Sequence, residues 1–489
     1  MTTRTLFLFG RDLRLGDHAG LATAARYGEI VPALVLDPAT AARVGKNPRR
    51  AAYYCGAVAS LAAELESQGT RLVCRRGSLA TAALRLAREG AATNVAWTVA
   101  YDAPTLARQR ALQSALEEAG IRTFAVHDAP AIAPEETAAA RSSDGGRGYR
   151  AFAPYVQVWK QLSREPVTAR LRFATPALDS DSLPQPREFG IEHAAQDVSE
   201  ARARTAFEGY ASAPIMRYAA ARNVPGGPPT SRLSSALAFG TIAARTVLAL
   251  IDARAQDRFL LAEERVALDG LRRSLAERDF FLQLAWFFES APDAVLQTRM
   301  RHFPFARSHR ALTAWREGCT GFPLVDAGVR QLRATGWMHP RARLVAASFL
   351  CFDLGIDWRV GRDVWDCELE EDDLALATGN WQWVAGVGAD LAQFPRIYNP
   401  HKQARAYDPL GTYARCWIPE LRGRPMPQAP ANSQSSSAAQ LSLPFFDGEP
   451  YPQPVVDHER AARDFLRRYG EFSGTTASRI AGGFGKAEL

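Results

Sequence analysis

The first 130 residues alternate short apolar runs with Ala/Leu-rich stretches, and this alternation limits the folds open to the chain. The strand-like runs cover residues 5–9, 30–36, 71–75, 94–99 and 122–126. Helical stretches such as 51–68 and 104–119 separate them. Strands that alternate with helices of this length pair in parallel through βαβ connections. The pattern therefore predicts an α/β domain with a parallel, Rossmann-like sheet over residues 1–130.

The rest of the chain differs in pattern. Residues 164–196 are rich in Pro, Asp and Ser and keep no regular period, which is typical of a linker. We therefore assign residues 131–200 to a linker and 201–489 to an all-α domain. Helical periodicity beyond the linker covers residues 234–253, 260–288, 323–336, 340–354 and 458–469. A Ser/Gln/Pro-rich stretch, 425–452, predicts a surface loop.

Composition excludes several classes of protein. No run of about 18 apolar residues and no signal peptide is present, so we expect a soluble cytoplasmic protein without a membrane span. The 6 cysteines are scattered without a CxxC pair, which argues against a metal site. The formal net charge of +7 favours polyanionic partners.

The most unusual stretch is residues 379–400, GNWQWVAGVGADLAQFPRIYNP. Trp381 and Trp383 stand one residue apart, and four carboxylates, Glu370–Asp373, precede them. On the residues alone, a buried aromatic core beside a solvated acidic turn accounts for the pattern.

Several segments, in this order, resemble those of the photolyase/cryptochrome family, and class I cyclobutane pyrimidine dimer photolyases in particular. They are GRDLRLGD at 10–17, the aromatic stretch 149–162, PPTSRLS at 228–234, ERDFF at 277–281, TGWMHPRAR at 335–343, the 379–400 stretch and YPQP at 451–454. The resemblance implies that the helical domain binds FAD. From the residues alone, the first segment is equally explained as a salt-bridged turn between strand and helix.

The resemblance assigns one group of residues to the FAD pyrophosphate. Thr230, Ser231, Arg232, Leu233 and Ser234 match the loop that grips it, and Tyr218 stands twelve residues earlier, as in the family. Without the resemblance, Thr230 or Ser231 is simply the N-cap of a helix over 234–253.

A second group is assigned to the flavin ring. By resemblance Arg343 lies beside the ring and pairs with Glu371, Asp373 bonds the pyrimidine edge, and Arg278 lines the cavity. A cation next to the ring favours anionic reduced flavin. From the residues alone, Arg343 is equally explained by an ordinary buried ion pair. His339 is expected to be a satisfied core histidine and not a catalytic one. Arg341 stands two residues before Arg343 and is expected to face elsewhere.

Trp381 and Trp358 match the first two positions of the family's tryptophan electron relay. The third position is Phe305, which is much harder to oxidise, so another exit such as Trp365 or a tyrosine is expected. Near flavin N5 the aligned residue is Ala377, which cannot hydrogen-bond to it. Without the resemblance, these tryptophans are read as aromatic core.

The substrate positions depart further from the family. Dimer photolyases hold the flipped lesion between two tryptophans, whereas this chain has Trp383 and Glu277 at those positions. Ser274 replaces a hydrogen-bonding Glu. Pro340 replaces an Asn. Arg341 and Arg222 remain as candidate contacts to the DNA backbone.

Three functions follow from these residues. The first is a light-driven lyase that splits pyrimidine dimers in damaged DNA by electron transfer from reduced FAD. The second is a cryptochrome-type flavin photoreceptor without repair activity, and the third is a light-dependent flavoenzyme that acts on a small molecule with Glu277 as general base. The resemblance leaves open a second, antenna chromophore, either a folate or a deazaflavin. We expect a monomer that needs no metal.

Overall fold

The computed structural model shows a five-stranded parallel sheet near the N-terminus. Its strands are β1 (Arg4–Phe9), β2 (Glu29–Leu36), β3 (Val73–Arg76), β4 (Asn94–Thr98) and β5 (Arg122–Val126). The strand order is β3-β2-β1-β4-β5, with every pairing parallel. The predicted α/β fold and helical remainder are confirmed.

The structure describes residues 3–140, 147–175, 177–195, 197–212, 218, 222–227, 230–288, 293–389, 395–427 and 450–473. Most of the predicted loop over 425–452 and the start of the PPTSRLS segment lie outside the described residues. In the part of the chain that is described, no helix is long and apolar enough to cross a membrane.

Helices account for most of the remaining regular structure. They are α1 (Ala19–Ala25), α2 (Pro38–Gly45), α3 (Pro48–Ser67), α4 (Leu79–Glu89), α5 (Ala103–Glu118), α6 (Pro134–Ala139), α7 (Phe152–Trp159), α8 (Glu200–Ser212), α9 (Ser234–Ala238), α10 (Ala244–Ala255), α11 (Ala262–Phe287), α12 (His309–Glu317), α13 (Pro323–Thr335), α14 (Pro340–Ser348), α15 (Trp358–Glu368), α16 (Leu374–Val384), α17 (Pro400–Tyr407), α18 (Thr412–Trp417) and α19 (His458–Ser473).

The chain divides into two compact units that do not follow the order of the sequence. The first unit contains Met1–Ala219, Pro229–Ala294 and Leu369–Asn380. The second unit contains Ala220–Pro228, Val295–Glu368 and Trp381–Leu489. The first unit therefore joins the sheet to helices from the middle of the chain.

The first unit is built on a sheet with both faces buried. Phe7 and Phe9 of β1 enter one apolar cluster, while Leu6 and Leu8 enter another. Successive side chains of a strand point to opposite faces, so each cluster covers one face of the sheet. This is why β1 reads as an unbroken apolar run in the sequence.

Buried ion pairs lie at the carboxyl end of β1, where the GRDLRLGD segment begins. Arg14 contacts Asp128 at 2.6 Å, and Arg245 of α10 contacts both Asp128 at 2.7 Å and Asp17 at 2.9 Å. All four side chains are less than one-tenth exposed. The explanation of this segment as a salt-bridged turn is therefore confirmed, and α10 is fastened to the sheet by it.

The helix predicted over residues 234–253 is wrong. The chain forms α9 and then α10, because Gly240 between them has φ of +67°. A Cβ atom at Gly240 would lie 2.5 Å from the carbonyl oxygen of Arg11, so the backbones meet closely here. The predicted cap is also wrong: the N-cap is Leu233, without a side-chain bond, and not Thr230 or Ser231.

The second unit contains α12 to α15 and α17 to α19. The stretch predicted as one helix over 340–354 is α14 followed by a π-turn, Phe349–Asp353. His339 is 3% exposed, and its Nδ1 accepts the backbone N–H of Arg341, so it caps α14. A structural histidine, as expected, therefore stands at this position.

We predict that Gly240→Ala lowers the free energy of unfolding by about 3 kcal/mol or more, since it combines a left-handed backbone with a clash. Gly69→Ala is the matched control: its φ is +77° but nothing lies within 4 Å of the added methyl. The control is expected to cost about 1 kcal/mol. Equal losses in denaturant unfolding would contradict the close approach at Gly240.

Candidate functional site

The acidic segment before α16 is anchored within the first unit. Arg11 donates to the carbonyl oxygen of Asp372 at 2.7 Å, and Arg43 pairs with its carboxylate. The buried guanidinium of Arg50 donates to the carbonyl oxygens of Leu369 and Glu371. The expectation of a solvated turn is wrong, because Asp372 is only 4% exposed.

Two carboxylates of this segment bear on the predicted flavin site. Asp373 is a predicted flavin contact, and Glu370 is next in the chain to Glu371, another one. Asp373 accepts the backbone N–H of Leu376 at 3.0 Å, and burial raises its pKa although Arg278 and Arg11 oppose the shift. Glu370 accepts the Ser235 hydroxyl at 2.5 Å, and burial raises its pKa as well. Both groups are thus acceptors held in a poorly solvated place.

Helix α16, which follows Asp373, carries a buried hydroxyl that lacks a partner. Thr378 Oγ1 has no hydrogen-bond partner among the described residues. Ala377, beside it, donates its backbone N–H to the backbone carbonyl oxygen of Asp373 at 3.0 Å, as in an ordinary helical turn. Buried polar atoms normally have a partner. An unsatisfied hydroxyl in the first turns of α16 and a carboxylate just before the helix fit a polar ligand.

A cavity of about 140 Å³ opens within the first unit at the carboxyl ends of β1 and β4. In an open parallel sheet this is where the strand order changes direction, and ligands bind there. Its wall includes Arg11, Trp97, Tyr101, Asp102, Arg278 and Asp373. Arg278 is fixed by a 2.6 Å bond to the carbonyl oxygen of Ala129. Burial alone would raise the pKa of Asp102, but the Arg11 guanidinium and the hydrogen bonds from Thr105 together outweigh burial and lower the pKa to about 2.

Other predicted residues of the first unit also come together. The hydroxyls of Tyr218 and Ser274 hydrogen-bond at 2.9 Å, which joins a predicted pyrophosphate residue to a predicted substrate residue. On α11, Glu277 accepts from Arg273 at 3.2 Å, one turn away. In the loop before α9, Arg232 is exposed with φ of +50°, and Leu233 is buried.

The second unit holds a cluster of three indoles in contact, of which Trp315 and Trp365 are stacked. The ring centroids of Trp381 and Trp365 lie 4.6 Å apart, and those of Trp365 and Trp315 lie 5.6 Å apart with nearly parallel planes. Trp315 and Trp381 are 6.3 Å apart. The Trp315 indole N–H donates to the carbonyl oxygen of Ala346 at 2.9 Å. This is a continuous aromatic path of three rings.

Trp358 lies on the same face of α15 as Trp365, since residues 358, 361 and 365 follow a helical repeat. It is fully buried, and it is not among the rings stacked on Trp381 in the described structure. The guanidinium carbons of Arg359 and Arg362 lie 5.0 and 5.4 Å from its ring centroid. Trp381 approaches α15 at Gly361, where a Cβ atom would lie 2.3 Å from its ring.

The candidate DNA residues of the second unit have protein partners. Arg341 donates to Asn223 at 2.6 Å and to Gln403 at 3.2 Å, and it lies 4.3 Å from the Tyr407 ring. Arg343 donates instead to the carbonyl oxygen of Met338, so the two arginines do face different groups. Arg222, next to Asn223, is half-buried.

Trp383 lies near a further cation. The guanidinium carbon of Arg396 is 5.5 Å from its ring centroid. No motif in the sequence marks Gly361, Asn223 or Gln403. The spacing of Gly361 between Trp358 and Trp365 indicates a shared helix face, whereas nothing in the sequence around Asn223 or Gln403 indicates that they contact Arg341.

Comparison with known proteins decides the family. Residues 5–173 match the family described as DNA photolyase, and residues 271–471 match the FAD binding domain of DNA photolyase. A deoxyribodipyrimidine photo-lyase of Halobacterium salinarum is 32% identical over 95% of this chain and 98% of its own length. The chain belongs to the photolyase/cryptochrome family. It contains the FAD-binding domain of that family.

A cryptochrome and a second photolyase are also similar to this chain. Cryptochrome-2 of Arabidopsis thaliana is 29% identical over 96% of this chain and 79% of its own. The crystal structure of a bacterial class III photolyase from Agrobacterium tumefaciens superposes with a TM-score of 0.83 at 27% identity, covering 97% of this chain and 98% of that one.

We predict that Gly361→Ala destabilises the protein by about 1–3 kcal/mol, because the methyl displaces the Trp381 ring or Leu350. Gly209→Ala is the matched control, as this helical glycine has nothing within 4 Å. The control is expected to gain about 0.5–1 kcal/mol. Thermal unfolding and indole fluorescence check both, and a stable Gly361→Ala with unchanged fluorescence would refute the close packing.

Proposed function

We propose that this protein is a blue-light-driven DNA photolyase that splits pyrimidine dimers with an electron from reduced FAD. The end-to-end match to a curated photolyase carries the proposal. The indoles of Trp365 and Trp315, which contact Trp381, support it, since a repair enzyme of this kind must bring its flavin to the reduced state.

The proposed FAD contacts use groups whose environment suits a polar ligand. In the first unit these are Tyr218, the loop 230–234, Arg278, Glu371 and Asp373, and the unpartnered Thr378 hydroxyl belongs to the same unit. In the second unit they are Arg343 and Trp381. When bound, reduced FAD supplies under blue light the electron that opens the dimer. The protein residues orient it and keep water away from Asp373, whose pKa is raised by burial.

The proposed partner is duplex DNA with the damaged pair flipped out of the stack. Arg341 and Arg222 would contact the phosphates, and Trp383 would stack on the lesion with a contribution of about 1–3 kcal/mol. On α11, the Glu277–Arg273 pair and Ser274 offer polar atoms where the family has a second stacking ring. We expect this polar wall to weaken dimer binding relative to a tryptophan wall.

The proposed electron route runs from Trp381 through Trp365 to Trp315. The stacked rings of Trp365 and Trp315 can share a positive charge, and the Ala346 carbonyl oxygen stabilises it at the Trp315 N–H. At Trp358 two guanidinium groups oppose oxidation, although Asp357 and Asp363 offset part of their charge. This route avoids Phe305, which packs on Phe303.

The cavity at the carboxyl ends of β1 and β4 is the proposed seat of a second chromophore. Trp97 and Tyr101 provide aromatic surface, and Arg11 and Asp102 provide charge-assisted hydrogen bonding. A folate and a deazaflavin both have the flat ring and polar edge that such a wall accommodates.

A cryptochrome-type photoreceptor is the second candidate. The likeness to Cryptochrome-2 and the polar residues Glu277 and Ser274 favour it. The third candidate, a small-molecule flavoenzyme with Glu277 as base, has less support, because Glu277 is an ion-paired and partly exposed residue on the surface of a helix.

Repair is tested by illuminating the protein, with FAD chemically pre-reduced, on oligothymidine that contains dimers. We predict recovery of thymine absorbance under blue light and none in the dark. Pre-reduction removes any dependence on the electron route. An absence of recovery would eliminate the photolyase and leave the photoreceptor and the small-molecule flavoenzyme.

A second test measures DNA binding by variants of Glu277, which belongs to the polar wall on α11. Glu277→Trp restores a stacking face, so it should tighten binding of dimer-containing DNA by about 1–3 kcal/mol, roughly five- to 150-fold in Kd. Glu277→Gln is the control that removes only the charge. Equal affinities for the Trp and Gln variants would show that this position does not meet the lesion.

The electron route predicts different effects for two buried tryptophans. Trp365→Phe should slow light-driven reduction of the bound oxidised flavin by about tenfold or more, equivalent to at least about 1.4 kcal/mol on the barrier. Trp358→Phe should slow it much less. The reverse ranking, with both variants folded and loaded with FAD, would assign the route to Trp358.

A further inference from the structure

A hydrogen-bonded chain of Tyr101, His127 and Glu135 leads from the cavity wall toward the surface of the first unit. The Tyr101 hydroxyl lies 2.5 Å from Nδ1 of His127, and Nε2 of His127 lies 3.1 Å from Glu135. Tyr101 is 6% exposed, whereas the Glu135 side chain is 52% exposed. The fold creates this chain: Tyr101 follows β4 and His127 follows β5, which are neighbouring parallel strands.

The proton positions follow from the chemistry of the three groups. An ionised carboxylate only accepts hydrogen bonds, so Nε2 of His127 carries the proton that faces Glu135. In the neutral ring Nδ1 then has a free lone pair, and the Tyr101 hydroxyl donates to it. Burial lowers the pKa of His127, with Glu135 and Glu136 opposing the shift, which favours this neutral ring at pH 7. The tyrosine therefore has a base in contact with its proton.

An oxidisable indole lies against the same pair. The Trp286 ring meets His127 edge-on at 4.8 Å and lies 6.2 Å from the Tyr101 ring, and it is partly exposed on α11. The carboxylate of Asp279 and the guanidinium of Arg278 also act on Tyr101, from the same helix. Asp128 adds a further negative charge next to His127 in the chain.

We propose that Tyr101, His127 and Glu135 form a proton-coupled electron-donor site, with Trp286 as the point where the electron leaves. Trp286 loses one electron to an external oxidant, such as a photoexcited oxidised flavin or a small oxidising radical. Tyr101 returns an electron to Trp286, and its hydroxyl proton moves to Nδ1 of His127 in the same event. The products are a neutral tyrosyl radical, intact Trp286 and an imidazolium paired with Glu135.

The proton acceptor is what makes this step possible. A phenol that keeps its proton when it is oxidised becomes a strongly acidic cation, whereas loss of the proton to a neighbouring base leaves a neutral radical. Glu135 does not touch the phenol; it is a positioning residue that holds the His127 ring and stabilises the imidazolium product. The electron and the proton thus leave Tyr101 for two different neighbours.

The test uses the full chain and azide radicals produced by pulse radiolysis, which oxidise tryptophan without any flavin. We predict a fast conversion of the Trp286 radical cation, which keeps its N–H proton, into the tyrosyl radical, and this conversion is absent in Tyr101→Phe and slowed about tenfold or more in His127→Gln. Tyr27→Phe is the matched control: Tyr27 stacks on Phe124 at 4.2 Å and should leave the fast phase intact. This readout does not depend on whether the protein repairs DNA.

The pH profile separates a working base from a structural hydrogen bond. As pH falls below the ordinary range of histidine, His127 becomes protonated on both nitrogens and can no longer take the phenol proton, so the fast phase should disappear. Glu135→Gln, at the surface, should move that loss to lower pH and reduce the radical yield. A fast phase that is unchanged in Tyr101→Phe, or that is independent of pH with Glu135→Gln identical to the unmodified protein, would overturn the proposal.

Discussion

The buried ion pairs of Asp128 with Arg14 and Arg245 are the constraint on which the first unit depends. Charges removed from water cost several kcal/mol each unless they are paired and hydrogen-bonded, so such groups tolerate one geometry only. Asp128 accepts from both arginines and from the backbone of Ala19, and its pKa is held far below the usual range as burial is outweighed by the two cations and His18. A carboxylate from the end of β5 thereby fixes β1 and α10 together.

That fixed junction positions the chemistry of the first unit. Gly240 brings the turn before α10 against the backbone of Arg11, and Arg11 in turn holds the acidic segment that leads into α16. Asp373 and Arg278 consequently line the same cavity. In the second unit a glycine has a comparable role, because Gly361 lets the Trp381 ring reach α15 and contact the Trp365 ring.

The sheet could be predicted from the sequence because strands and helices have distinct periods and both faces of the sheet are apolar. The break at Gly240 could not, because apolar residues recur on both sides of this glycine and a lone glycine inside a helical pattern does not by itself end a helix. The close approach to the backbone of Arg11 is what demands a turn there. The contact between Trp365 and Trp381 could not be predicted either, because it requires the helix face of residues 358, 361 and 365 to be matched with a residue from another helix. The contact between Tyr101 and His127 depends on strand order, which no local pattern records.

Light-driven chemistry in this chain requires that its helical part hold FAD beside Trp381. The most direct measurement is the visible absorption spectrum of the purified protein after incubation with FAD and removal of the unbound cofactor. We predict a retained oxidised-flavin spectrum of at least one equivalent per chain, with quenching of indole fluorescence that Trp381→Phe reduces. A folded protein that stays colourless after this treatment would contradict FAD binding at this site.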